Sequence, residues 1–306
     1  MKVRFFTKII LILSISFFLF TCDDGDIITF NLDFDMELDR CPEDDMETDN
    51  YVIYDTKDND PYESLTLLFP SNTTNDKIFN PEETPFMGTL NINGSSTRFN
   101  YRIYNGPPLG LICQDIPDAS VSIIEDYESS SGTADYISTF VDDDNDGILT
   151  SIEDANLDGD DDPDTNPTDT DGDGIPDYKD ADDDNDNVLT IDEDPDPNGD
   201  EDISDAKDSD GDGTPDYLDT DDDGDGTITR YEDANGNGNL FDDFEVGATV
   251  PRFLDNTISD VFINNILNPN SFTRTINVEF TINNIDIEIL SADTFLLGYY
   301  TREITF

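Results

Sequence analysis

Apolar and polar residues alternate with period two in two parts of this chain, and a long stretch without such alternation separates them. In the first part Ile28, Phe30, Leu32, Phe34 and Met36 alternate with mostly polar neighbours, as do Phe99, Tyr101 and Ile103 between Arg98, Asn100 and Arg102. Successive strand residues face opposite ways, so this period predicts half-buried strands. Residues 50–55, 64–69, 121–124 and 132–141 are further strand candidates. Together, residues 27–141 are long enough for one antiparallel β-domain. In the second part Ile276, Val278, Phe280 and Ile282 alternate, and Ile285, Ile287 and Ile289 continue in the opposite phase. The phase slip at Asn283 and Asn284 predicts a bulge or tight turn, and residues 296–306 predict a last strand. Segment 246–306 is marginal alone, because a chain of about 60 residues buries only about 60 % of its surface. It either forms a small sheet of its own or completes the N-terminal one, and core size favours the second. The fold class expected is mainly β: antiparallel, sandwich-like flanking domain or domains around a loop-rich tandem-repeat region.

Between the two parts, residues 142–245 follow another rule. Residues 142–153, 182–193 and 221–232 read DDDNDGILTSIE, DDDNDNVLTIDE and DDDGDGTITRYE. Side-chain oxygens fall at positions 1, 3 and 5 (Asp142, Asp144, Asp146; Asp182, Asp184, Asp186; Asp221, Asp223, Asp225), and a glutamate closes each at position 12 (Glu153, Glu193, Glu232). Position 7 (Ile148, Val188, Thr227) offers a backbone carbonyl. A hard divalent cation with six to eight oxygen ligands requires this spacing, and calcium is the ion it suits. Two further loops, 169–180 and 208–219, place aspartate at positions 1, 3, 5, 9 and 12: Asp169, Asp171, Asp173, Asp177 and Asp180, then Asp208, Asp210, Asp212, Asp216 and Asp219. A weaker set begins twelve residues after each glutamate-closed loop begins, with Asp154, Asn156 and Asp158; Asp194, Asp196 and Asn198; and Asp233, Asn235 and Asn237. Thr165 and Phe244 sit at position 12 of the outer two and offer no carboxylate.

The unit recurs every 39 or 40 residues, as Asp142, Asp182 and Asp221 show. A fixed period of that size means strung structural units. These residues resemble thrombospondin type 3 repeats, in which aspartate-rich loops wrap calcium ions in tandem with little regular secondary structure. The resemblance covers residues 142–245 and implies several bound calcium ions, a wire-like module and no enzymatic activity. Asn187 departs from it by replacing the position-6 glycine, although asparagine also visits the left-handed region. A paired helix–loop–helix calcium protein fits less well. Asp180 ends one loop where Asp182 begins the next, and Pro176 and Pro215 at position 8 forbid a helix leaving their loops.

Charge sharpens the reading. The chain carries a formal −60, and residues 142–245 hold 42 acidic side chains against Lys179, Lys207 and Arg230, or −39. Carboxylates a few ångströms apart repel by about 1 kcal/mol per pair even in water, so the segment is expected to be compact only with cations. Nucleic acid is excluded as a partner, since binding it requires a basic surface.

Residues 1–21 read as a lipoprotein signal peptide: Lys2, Arg4 and Lys8, then an apolar run from Ile9 to Phe20 that is shorter than the roughly 20 residues of a membrane span. The run ends in Leu19-Phe20-Thr21-Cys22, which resembles a bacterial lipobox with Cys22 as the lipidated residue. Asp23, Asp24 and Asp26 in the tether 22–26 resemble an acidic surface-export signal. The expected location is the outer membrane, lipid-anchored, at the cell surface of a Gram-negative bacterium. An oxidising compartment then favours pairing of the two remaining cysteines, Cys41 and Cys113.

The sequence has no histidine, which removes the commonest general base, the usual triads and most zinc sites. Two-carboxylate glycoside hydrolysis needs none, but calcium ligation accounts for nearly all the clustered carboxylates. The expected function is therefore non-enzymatic, a calcium-binding surface lipoprotein with a structural, spacer or adhesion role. The alternatives are a glycan- or protein-binding module stiffened by the repeats and, behind it, a carboxylate hydrolase.

Overall fold

The computed structural model describes residues 32–41, 49–114, 116–153, 165–263, 265–290 and 293–306. The signal segment, Cys22, and the weak loop of Asp154, Asn156 and Asp158 lie outside them. The protein is mainly β, with nine strands in two antiparallel sheets among the described residues. The first sheet has the order β1 (Asp39–Cys41), β2 (Asn50–Lys57), β3 (Tyr62–Pro70), β5 (Arg98–Tyr104), β6 (Ile123–Ser129). The second has the order β4 (Phe86–Asn91), β7 (Thr133–Thr139), β8 (Thr273–Asn283), β9 (Phe295–Thr305).

The inward positions of both sheets meet in one core. Ile53, Leu65, Leu67, Phe69 and Phe99 come from the first sheet, and Ala134, Ile276, Val278, Phe280 and Ile282 from the second. Phe69 and Phe280 touch across the interface with ring centroids 6.4 Å apart. Along β8 every second residue is buried, as its period predicts. β8 pairs directly with β7, Tyr136 opposite Phe280. The C-terminal strands thus complete the sandwich begun before the repeats, and residues 140–272 are an insertion between two neighbouring strands.

Some expectations shift. The stretch 32–36 forms no strand; its successors run along β9, where Leu38 N–H donates to the Tyr299 carbonyl and Tyr299 N–H to that of Met36. Gly298 permits this approach, since a Cβ there would lie 2.4 Å from the Met36 oxygen. Ile285, Ile287 and Ile289 lie on a loop instead of a strand: Asn284 turns the chain at φ 55°, and Ile285 and Ile287 then drop into the core from irregular backbone. The candidate at 121–124 is the beginning of β6, and β4 and β1 escaped the pattern. Cys41 and Cys113 are bonded, Cα atoms 5.7 Å apart, tying the edge strand β1 to the loop after β5. Among the described residues no helix is long and apolar enough to cross a membrane.

Candidate metal centres

The acidic loops share one backbone frame. The position-1 carboxylate folds back over its loop: Asp142 accepts from the N–H of Asn145 and Gly147, Asp208 from Gly211 and Gly213, and Asp182 from Asp186 and Asn187. The position-5 carboxylates accept from position 7, as Asp146 does from Ile148, Asp186 from Val188 and Asp225 from Thr227. This winding needs left-handed backbone at positions 4 and 6, seen for example at Asn185 (φ 59°) and Asn187 (φ 75°). Glycine and asparagine adopt it at least cost. Position 9 staples the loop. Its N–H donates to the carbonyl before the loop, as Thr190 does to Ala181 and Thr229 to Thr220, while its side chain accepts from the position-2 N–H. Residues 9–12 then make a single helical turn, α-helical at Thr150–Glu153 and 3-10 at Thr190–Glu193 and Thr229–Glu232.

Once these bonds are made, carboxylate oxygens remain that nothing satisfies. Seventeen buried carboxylate oxygens without a hydrogen-bond partner occur among the described residues, and all lie between Asp144 and Asp243. They include both oxygens of Glu153, Glu193 and Glu232, and the outward oxygens of Asp146, Asp186, Asp223 and Asp225. Such groups do not stay unpaired inside proteins, because each carries its full desolvation penalty. They also converge. Asp142, Asp144 and Asp146 bring ligand oxygens within 4.8 Å of one another, as do Asp184, Asp186, Glu193 and Asp222, and Asp146, Glu153 and Asp183. Burial, then mutual repulsion, pushes Asp144 up to about 12, Glu153 to about 10 and Asp184 to about 9; for Asp146 (about 8) and Glu232 (about 8) burial again leads. The donor set is all oxygen, with orphaned oxygens at positions 3, 5 and 12, and it fits a hard divalent cation. These clusters could hold metal ions.

Not every residue singled out by spacing is placed alike. Asp177 and Asp216, at position 9, are occupied as staples: both Asp177 oxygens accept from Thr170, and those of Asp216 from Ser209 and Lys207. Asp180 and Asp219 accept from the N–H of Asp182 and Asp221, so the position-12 aspartate of one loop braces the start of the next. Asp169, Asp171 and Asp173 cluster at the surface. Asp210 and Asp212 hold the turn of their own loop through Asp212 and Thr214 N–H. The weak loop after Glu193 is out of register by two residues. Asp196, not Asp194, takes position 1, accepting from Gly199 and Glu201, and it groups with Asp200 and Asp205 while Asn198 donates to Asp205. In the loop at Asp233 the amides of Asn235 and Asn237 donate to Asp242 and Asp243, partly standing in for a cation.

Two features went unread in the sequence. Asn187 docks the returning chain: its amide donates to the Ile266 carbonyl (3.0 Å), and its oxygen accepts from Asn268 N–H (2.9 Å). Asn270 repeats the device at Lys179 and Ala181. Segment 256–272 therefore runs back along the loops as a strap. Position 2 is the other feature. Asp143, Asp183 and Asp222 are buried although the loop template gives position 2 no ligand role. Asp143 meets Arg274 of β8, which donates to its carboxylate and its carbonyl at 2.6 Å and is ringed by Phe140, Phe272 and Phe306. The repeated DDD triplet was the available signal.

No protein-family model, curated protein or solved structure matches this chain.

Proposed function

We propose that residues 142–245 form a calcium-ordered lobe, and that the chain is a non-enzymatic calcium-binding lipoprotein of the bacterial cell surface with a structural or adhesive role. The observation that carries the metal reading is the set of seventeen buried, unpartnered carboxylate oxygens, all of which, among the described residues, lie in this lobe. Twelve-residue loops with orphaned oxygens at positions 3, 5 and 12 favour calcium over magnesium, which holds a tighter octahedron and keeps its waters. The loops are read as similar to thrombospondin type 3 repeats. Their setting differs from a spacer strung between two modules, because both ends of the lobe enter adjacent strands of one sandwich.

An extracytoplasmic address suits such sites, since ambient calcium there fills loops with dissociation constants of about 10⁻⁴ to 10⁻³ M. Calorimetry of the full chain with calcium, and separately with magnesium, is the test. Several calcium ions should bind, with magnesium a poor competitor, and no calcium uptake at millimolar concentration would end the reading. The anchor is tested apart from the metal: Cys22→Ala should abolish labelling by a fatty-acid analogue and release the protein from membranes. Unchanged labelling would remove the lipoprotein proposal and leave the calcium one standing.

A further inference from the structure

The three position-2 aspartates pose one electrostatic problem and show two solutions. Asp143, Asp183 and Asp222 are 5 %, 2 % and 2 % exposed, and each belongs to a DDD triplet that opens a glutamate-closed loop. A carboxylate this buried requires a cation or a full set of donors. Asp143, first in the series, has its cation: Arg274 reaches it from the sandwich at 2.6 Å. No described arginine or lysine is paired in this way with Asp183 or Asp222. One oxygen of each, Asp183 Oδ1 and Asp222 Oδ2, is buried without a partner.

Both carboxylates point into the loop of the preceding repeat. Asp183 groups with Asp146 and Glu153, and Asp222 with Asp184, Asp186 and Glu193, with ligand oxygens within 4.8 Å of one another in each group. Oxygens sharing one calcium ion at 2.3–2.6 Å lie no more than about 5 Å apart, so each group has the dimensions of a single coordination shell. We propose that Asp183 is a ligand of the ion held by loop 142–153 and Asp222 a ligand of the ion held by loop 182–193, so that each ion ties together two repeats.

This rests on the calcium reading and adds a coupling to it. A loop fills fully only when the next repeat is in place to donate its carboxylate, and an ion once bound fixes the next repeat. Loading is therefore cooperative along the chain. Arg274 does for the first repeat what an ion does for the later ones, and so fixes the start of the series to β8.

Counting bound calcium by native mass spectrometry, with calorimetry on the full chain, distinguishes ownership of each ligand. Asp183→Asn and Glu153→Gln should each weaken or remove the same ion, by about tenfold or more given the lost charge and ligand, and the double variant should lose no further ion. Asp183→Asn combined with Glu193→Gln should lose two. Asp222→Asn provides a second, independent pair, redundant with Glu193→Gln and additive with Glu232→Gln. If Asp183→Asn is redundant with Glu193→Gln, or leaves the count and affinity unchanged, the bridging role is overturned while calcium binding survives. If the unaltered chain takes up no calcium, the metal reading itself fails. Near-UV circular dichroism in excess calcium confirms that each variant keeps its sandwich, and a variant that loses it is replaced in the comparison by the other pair.

Discussion

The sandwich and the inserted lobe bury side chains of opposite kind. In the sandwich the largest fully buried groups are Phe69, Phe99, Phe280, Tyr101 and neighbouring aliphatics, and burial of apolar area drives their assembly. In the lobe the apolar contribution is smaller: Ile148, Tyr178, Ala181 and Tyr217 are buried singly, and Val188 and Leu240 cluster with Phe253 of the returning chain, with Leu254 against it. What fills its interior instead is Asp144, Asp146, Asp184, Asp186, Glu193 and Glu232, each almost fully buried. One region holds itself together by excluding water, whereas the other gathers charge that only something outside the chain can balance. The β7–β8 pair joins them, and the aromatic-ringed Arg274–Asp143 ion pair stands at the junction.

Removing divalent cations should separate the regions most sharply. Ordering a residue costs about 1–2 kcal/mol in backbone entropy alone, and the few apolar contacts of the lobe do not meet that cost over residues 142–245. Chelation of the full chain should therefore enlarge the radius of gyration and open the lobe to protease, while amides of β2, β3, β7 and β8 keep their exchange protection. Equal loss of protection in both regions would show one cooperative unit, and no loss in either would remove the ionic account of the lobe.

Acidification gives the next largest contrast, with opposite signs in the two metal states. Without metal the lobe carboxylates bind protons more tightly folded than unfolded: Asp180 lies at about 7, raised by burial and then by Asp173 and Asp171, and Asp146 and Glu232 lie at about 8. A group whose folded pKa is raised makes the fold more stable as pH falls through that value, and the gain is complete below the unfolded value near 4. The lobe opened by metal removal should accordingly close again in part on acidification, and be more resistant to protease at pH 5 than at pH 8. Calcium bound as proposed would hold the same groups ionised, so in its presence protons compete with the ion and the protease resistance of the lobe should fall over that interval. Slopes of the same sign would break the distinction.

How far the sequence reached differs between the regions for physical reasons. β8 was legible because one face is buried and the other wetter, so the period of two survives to the sequence, whereas β5 keeps the alternation of residue type although Asn100 and Tyr104 of its second face are buried too. Ile285 and Ile287 misled, because a loop can bury alternate side chains without pairing its backbone. In the lobe the oxygen-bearing positions 1, 3, 5 and 12 stand out by spacing, and the structure brings several of their carboxylates together. At position 9 spacing does not separate a ligand from a staple, because aspartate serves both purposes; the hydrogen bonds of Asp177 and Asp216 reveal the stapling. Partnerships across 40 residues or more, such as Arg274 with Asp143, leave no local pattern at all.

A core truncation sharpens the contrast from the other side. Phe280→Ala removes a fully buried ring facing Phe69 and should cost about 3–5 kcal/mol. The loss should be the same in calcium and in chelator when unfolding of the sandwich is followed by denaturant. Calcium uptake at moderate temperature should be unaltered as long as the chain stays folded. A calcium-dependent cost would mean that the ions also hold the sandwich.

The smallest effect tests whether the lobe is held by ions alone. Asn187→Gly restores the residue most loops carry at position 6 and suits the local φ of 75°. It also removes the amide that clasps Ile266 and Asn268, two bonds worth about 0.5–1.5 kcal/mol each. If ions alone order the lobe, the variant should be neutral or slightly tighter for calcium. The strap geometry says otherwise: segment 256–272 should loosen, the Asn268 amide should lose exchange protection, and the lobe should be destabilised by about 1–2 kcal/mol with its calcium count unchanged. Unaltered protection at Asn268 would mean that the returning chain follows the loops without holding them, and that Asn187 is at position 6 only because asparagine tolerates the turn.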